Sequence, residues 1–564
     1  MNGKRKVKWT LFLSLMLVLS MFLAACSSGS KDTSGSAGGS GKEELAKDQV
    51  LNLMEPVDIP SLNWTQITDT TSSTTIGMVT SGLMRFDQNM EPKPDMADGM
   101  PKISKDKKVY TFKIRKDAKW SDGSPVTAND FVFAWRKMVD PKTASQYAFI
   151  FASANIKNAA KIDDKKSPLF GKVDQLGVKA LDDHTLQVTL EKPTPYLLST
   201  LCSASFIPQK KEFVEKEGNN LGQEPKDLLS NGPYILTKWN HGSGWSFKKN
   251  ENYWNAKNIH IEKVNVSVLK QKSTAVNLYN TGKLDSTLID SEFVDQFKGK
   301  PDYHSTLMAA PYFIRLNQAK VPALKNEKVR KAIYGSIDRD TMAKDLIKDG
   351  SVGAKYIVPK GFAKGPDHKD FRSTSPNGFN AADKQQAKKL WEQAKTDLGI
   401  KSLKLDLMTQ DQDKSVKIAE YVANQIEKNL PGVSVNVLKQ PWGQYLKLES
   451  AGHYQMSISG WSPDYLDPMT FLDMWTTGNP MNRMGYSDKK YDQLIDEANN
   501  LGAEPQKRWE KMQEAEKLLL DKDTAVIPLY QRANAYVTKP YVKGLIYPSF
   551  GFDLDWTHAK VLKH

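Results

Sequence analysis

YTFKIRKDAKWSDGSPVTANDFVFAW, residues 110–135, runs through a strand, a turn and a capped helix without a break. From Val109 to Ile114 the apolar side chains alternate, with Tyr110, Phe112 and Ile114 on one face, the period of a half-buried strand. Ser121-Asp122-Gly123 is a turn. Thr127 stands at a helix N-cap position, ahead of Phe131, Ala134, Trp135 and Met138 at helical spacing.

Outward from this stretch the two periods keep alternating. Asp183-His184 is a turn before a second strand carrying Leu186, Val188 and Leu190, which Pro193 and Pro195 end. Leu403, Leu405 and Leu407 alternate, then Val416, Tyr421, Val422 and Ile426 fall at helical spacing. Pro431-Gly432 stops that helix, and Val433, Val435 and Val437 alternate again. Strand, helix and strand in that order read as a βαβ unit and an α/β lobe. Asn380 is expected to cap a further helix, with Asp383 at its third position and Leu390, Trp391 and Ala394 within it. Trp509, Met512, Ala515 and Leu519 mark an amphipathic helix near the C-terminus.

The N-terminus follows a different rule. Lys4, Arg5, Lys6 and Lys8 precede an apolar run from Leu11 to Leu23, then small residues and Cys26. A basic segment, a short apolar core and small residues make a secretory signal peptide, expected to be residues 1–25. The run is too short to span a bilayer comfortably. Ser27 to Gly41 is Ser/Gly-rich and reads as a flexible tether, taken as 26–48 with Cys26 at its head. Leu23-Ala24-Ala25-Cys26 resembles the lipobox of bacterial lipoproteins, which implies a diacylglyceryl group on the Cys26 thiol.

Composition removes several function classes. The chain has 564 residues, a formal net charge of +14 and two cysteines, Cys26 and Cys202. With Cys26 acylated no internal disulfide can form, and Cys202, among Tyr196, Leu197, Leu198 and Leu201, is expected to be a buried inert thiol. Basic residues are scattered among acids, so no nucleic-acid stripe exists and no nucleic-acid partner is expected. There is no HExxH, paired-cysteine zinc pattern, GxSxG or GxGxxG, hence no expected metal, cofactor or enzyme activity. Asp411, Asp413, Asp464 and Asp467 form two acidic pairs without calcium-loop spacing.

The 110–135 stretch closely resembles the signature of the peptide-binding solute receptors of ABC importers, solute-binding protein family 5. Ser230-Asn231-Gly232-Pro233-Tyr234, followed by Asn250 to Trp254, resembles a second landmark. Val329 to Ile333, leading to Asp338-Arg339, resembles a third, and Gly460-Trp461-Ser462-Pro463-Asp464-Tyr465 a fourth. The resemblance extends from about Gln49 to His564. It implies a two-lobed α/β periplasmic-binding-protein-like fold (type II, cluster C) with an extra domain and a hinge. Its expected segments are 49–86, 208–307 and 531–564 for lobe I, 87–207 for the extra domain II and 308–530 for lobe III.

The resemblance further implies a monomeric receptor, lipid-anchored on the extracytoplasmic face of the bacterial cell membrane. It would capture oligopeptides as extended strands and hand them to ABC permease subunits driven by cytoplasmic ATPases. Asp464 matches the family residue that receives the peptide α-ammonium. Gly460, Trp461 and Ser462 match the segment beside the peptide backbone, and Trp461 and Trp442 resemble pocket-lining aromatics. Backbone pairing suits a receptor of many sequences, because the backbone and the charged ends are what peptides share. Two departures from Gram-negative relatives stand out: Ile458 where they carry Arg, and Ser72 or Ser73 where they carry Glu. Lys414 is then a candidate for the peptide C-terminus, although a solvated helix face explains it equally. The alternatives are a receptor of the same fold for a nickel chelate, haem or oligosaccharide, and a surface hydrolase.

Overall fold

The computed structural model describes residues 44–380 and 382–564. The signal segment, Cys26 and the Ser/Gly tether up to residue 43 lie outside the described residues. Three sheets of four or more strands organise the described residues, beside two two-stranded ones. The first orders Val50–Glu55, Lys263–Val268, Gly244–Lys249 and Tyr234–Asn240, with the opening pair parallel and the others antiparallel.

The second sheet is antiparallel and contains the strand that begins the 110–135 stretch. Val109–Lys113 pairs with Thr185–Thr189, Tyr110 opposite Val188 and Phe112 opposite Leu186, so both alternating faces read from sequence meet. The following helix is Ala128–Val139 with Thr127 as N-cap. The Asp130 carboxylate accepts the Thr127 backbone N–H at 2.7 Å, satisfying a donor that the first turn would leave orphaned. Trp135 is fully buried, donates Nε1–H to the Phe206 carbonyl at 3.0 Å, and meets Phe131, Phe151 and Phe206 edge-on. Emptying such a site costs about 3–5 kcal/mol, so this aromatic cluster ties the helix to the segments Phe149–Ser153 and Ala204–Phe206.

The third sheet runs Ser286–Leu288, Val526–Thr538, Tyr303–Leu316, Met456–Gly460, Leu403–Gln410, Val433–Gln440, with Val352–Gly353 added on Val526–Thr538. The expected βαβ unit is here: Leu403–Gln410 and Val433–Gln440 are parallel in register Leu403 to Val433, joined by the helix Asp413–Asn429. Ile418, Val422 and Ile426 put that helix's apolar stripe into the core below the sheet. The expected cap at Asn380 is corrected. The helix is Lys384–Leu398, capped by Asp383, whose Oδ1 accepts from Gln385 N at 3.0 Å and Gln386 N at 2.9 Å. Asn380 instead sits at φ +55° and donates Nδ2–H to the Leu520 carbonyl. Both residues are good caps, and the one nearer the helical run wins.

Two strands of the third sheet are unusually long. Tyr303–Leu316 and Val526–Thr538 pair antiparallel from Tyr303 opposite Val537 to Arg315 opposite Val526, with bulges between Leu307 and Pro311 and between Tyr312 and Phe313. The segment limits at 307/308 and 530/531 fall inside these strands. Among the described residues no helix is long and apolar enough to cross a membrane.

Candidate functional site

Met456–Gly460 lies in the middle of the third sheet, with Gly460 opposite Tyr312. A Cβ on Gly460 would stand 2.8 Å from the Tyr312 ring, itself stacked on Tyr530 with centroids 4.8 Å apart. Only glycine lets the strand pass that aromatic pair. Beyond it the Trp461 N–H donates to the Pro311 carbonyl at 3.2 Å, and the chain turns outward. Ser462 is exposed, and among the described residues neither its N–H nor its carbonyl has a hydrogen-bond partner. The strand therefore ends in backbone that is free to pair with another extended chain.

Ser462, Pro463 and Asp464 form one wall of a cavity of about 210 Å³. Its other walls come from distant segments: Trp64 to Ser73, Phe86 to Met90, Tyr147 and Ile150, Ser199 to Ser205, and Ile546 to Asp555. The Asp464 backbone N–H donates to Thr470 Oγ1 at 3.3 Å, but its carboxylate has no hydrogen bond or ion pair among the described residues. Burial alone pushes this carboxyl up from 3.8 to about 6, because water is removed and no positive group replaces it. A partly buried carboxylate facing empty space without a counter-charge is unstable by itself and is prepared for a cation.

A second cavity, about 550 Å³, shares Met90 with the first and is lined by Tyr196, Phe362, Trp509 and the Asp467–Arg508 pair. It is the larger, but its buried carboxylate already has its cation. The Arg508 guanidinium donates to both Asp467 oxygens at 2.7 and 2.8 Å. The unfilled chemistry lies in the smaller cavity.

Of the residues selected from sequence, Ser462 and Asp464 line the cavity, while Gly460 and Trp461 lead into its wall. Trp461 packs against the core with its Nε1–H buried and without an acceptor among the described residues. Trp442 lies apart, at the start of the helix Trp442–Ser450. It is 52% exposed, stacked on Tyr445 and absent from the cavity wall. Lys414 is already engaged, its Nζ donating to Asp349 Oδ2 at 2.6 Å, so a salt bridge takes the place of the suggested C-terminal contact. Ile458 is buried in its strand opposite Ile314, where an Arg would have to displace core. Cys202 is buried, and desolvation raises its thiol far above the ordinary range, as expected of an inert thiol.

Sequence reasoning missed Asp69 and Tyr147. Asp69 caps the helix Thr70–Val79, its Oδ1 accepting the Ser72 N–H at 2.8 Å, and it lines the same cavity as Asp464. An Asp directly before a Thr/Ser run was legible as a cap, though not as a cavity residue. Tyr147 sits in the wall with its hydroxyl pushed up first by burial and then by the charges of Asp464 and Asp69, so it feels both carboxylates.

Together with the solved structures it resembles, this geometry defines a class first: a mixed α/β, two-lobed receptor whose cavity is walled by segments far apart in sequence. The profile of "Bacterial extracellular solute-binding proteins, family 5 Middle" matches residues 91–483, and the chain belongs to that family. It is 32% identical over 561 residues to the dipeptide-binding protein DppE of Bacillus subtilis (strain 168), covering 98% of this chain and 99% of the relative. Among solved structures it resembles the substrate-binding domain of an oligopeptide ABC transporter from Bacillus anthracis str. Ames, at 44% identity and TM-score 0.77. That match covers 92% of this chain and all of the other. Listeria monocytogenes OppA bound to peptide is similar at 37% identity and TM-score 0.76, with the same coverage.

Proposed function

We propose that this protein is an extracytoplasmic oligopeptide receptor that delivers peptides to an ABC permease and leaves them chemically unchanged. The observation that carries this reading is Asp464, a half-buried carboxylate without a counter-charge, just beyond a strand end where the backbone groups of Ser462 are free. A peptide amino end meets both needs. Its α-ammonium pairs with Asp464, and its extended backbone lies along Ser462. A charge-assisted hydrogen bond of this kind contributes roughly 1.5–3 kcal/mol. Affinity then comes from groups every peptide has, which suits a receptor of broad range.

In this reading the bulged strands Tyr303–Leu316 and Val526–Thr538 are the hinge between lobe I (49–86, 208–307, 531–564) and lobe III (308–530), with domain II (87–207) against them. Gln531, fully buried, donates to the Met308 and Lys360 carbonyls and accepts from the Tyr356 hydroxyl and the Lys360 N–H, so the crossing is tied rather than loose. Closure on peptide excludes water from the ion pair. The Cys26 lipid anchor belongs to the same reading, since two acyl chains suffice for stable membrane attachment. The intact mass of membrane-extracted protein tests it, and an unacylated Cys26 excludes it.

The deciding experiment incubates the purified protein with a defined peptide library and identifies retained molecules by mass. Intact retained peptides are the expected result, with a smaller radius of gyration in small-angle scattering. Cleaved products, or no retention by a protein that binds another solute, would reject the reading.

A further inference from the structure

The cavity wall holds four carboxylates, Asp69, Asp87, Asp464 and Asp555, and no Lys, Arg or His. Two of the four are already engaged. Asp87 Oδ1 accepts the N–H groups of Asn89 and Glu91 at 2.8 and 3.0 Å, and Lys93 stands 3.8 Å from Oδ2. Asp555 Oδ1 accepts from the Thr557 N–H and hydroxyl at 2.8 and 2.7 Å, and its charge bears on Arg85. Asp464 and Asp69 are left. Asp69 spends Oδ1 on the helix cap, and its Oδ2 has no hydrogen bond or ion pair among the described residues.

Both line the one cavity from separate segments of the chain, with Tyr147 in the same wall. Behind Asp69 the surroundings are also acidic. Asp553 feels Asp69, and Glu55, pushed up to about 8, feels Asp553 after burial. Lys272 and Arg532 offset this side only in part, because Glu55 and Asp553 remain raised beside them. One α-ammonium would neutralise Asp464 and leave Asp69 facing the same space. That space of about 210 Å³ is small, on the scale of the amino end and side chain of a single residue.

We propose that the cavity receives two cations from one residue: Asp464 takes the α-ammonium, and Asp69 takes the side-chain ammonium or guanidinium of the same first residue. The protein therefore favours peptides that begin with lysine or arginine. The inference rests on the peptide-receptor reading and adds to it a residue that selects the ligand. Asp69 suits the role because its position is fixed by the helix it caps, so the carboxylate is held in place before the ligand arrives.

The test is titration calorimetry with Lys-Ala-Ala, norleucine-Ala-Ala and Ala-Ala-Lys on the whole processed protein and on Asp69→Asn. Norleucine keeps the lysine methylenes and removes only the charge. Asn is as good an N-cap as Asp, so the helix start is retained. Lys-Ala-Ala is expected to bind about tenfold tighter than norleucine-Ala-Ala, or about 1.4 kcal/mol. That ratio should fall to within about twofold in Asp69→Asn, and Ala-Ala-Lys should bind the unmodified protein no better than norleucine-Ala-Ala. A ratio unchanged by Asp69→Asn, or norleucine binding as tightly as lysine to the unmodified protein, overturns the proposal while leaving the peptide reading intact. If none of the three peptides binds, the peptide reading falls and this one with it. Should the variant not fold, the lysine-to-norleucine ratio on the unmodified protein still decides.

Discussion

Asp464 and Asp467 stand three residues apart in one loop, and their surroundings differ in one respect. Asp467, 5% exposed, is held by both arms of Arg508, which also lies over the Tyr196 ring. Asp464 is partly buried too, but nothing positive meets it. The first site completes its chemistry inside the fold. The second leaves it to be completed from outside. Burial of charge is expensive in either case, and what separates structure from function here is whether the chain supplies the partner.

The largest effect should come from removing the partner that is present. Arg508→Met would leave Asp467 buried without a cation, a loss that usually costs about 3–5 kcal/mol. Chemical denaturation should register it, and pairing Arg508→Met with Asp467→Leu should recover much of the loss. A single substitution within about 1 kcal/mol of the unmodified protein would mean that the two aspartates are not different in kind.

Next in size is the missing partner. Asp464→Asn should weaken a free-amine peptide by roughly tenfold or more, and N-acetylation of the peptide should weaken binding to the unmodified protein by a similar factor. Both changes delete one ion pair, so together they should cost little more than either alone. Calorimetry over the four combinations measures this. Losses that add in full would assign the α-amine to another group.

The contrast was half visible beforehand. The 110–135 stretch, the βαβ unit at 403–437 and the Gly460–Tyr465 motif were readable because local period, turn residues and caps agree with the final structure there. Asp464 was readable because it sits inside a long motif. Arg508 and Asp69 were not, because each meets the cavity region from a segment far away in sequence, and no periodicity encodes such an approach. Asn380 misled for a related reason. A helix start has several acceptable caps within one turn, and packing selects among them. Trp442 shows the converse, since an aromatic beside a plausible motif can face solvent with only a neighbouring ring for company.

The last effect concerns stability, and it has the opposite sign to the loss of binding. The Asp464 carboxyl titrates near 6 in the empty folded protein against an ordinary value of 3.8, raised by burial. The folded state thus holds the proton more tightly than the unfolded state. Below pH 3.8 both states are protonated and the group costs nothing. Between 3.8 and about 6 the cost grows with pH, and above about 6 it is complete. Asp473, pushed up to about 7 by burial and then by the Asp464 and Asp467 charges, shares in it. Asp464→Asn should therefore stabilise the ligand-free protein by about 1–3 kcal/mol at pH 7.5 and by less at pH 5. Thermal melts of both proteins at the two pH values, without peptide, provide the check. Saturating free-amine peptide should reverse the order at pH 7.5, because the unmodified protein alone gains the ion pair. A variant less stable than the parent at every pH would show that the Asp464 carboxylate has a partner within the fold, and the difference from Asp467 would disappear.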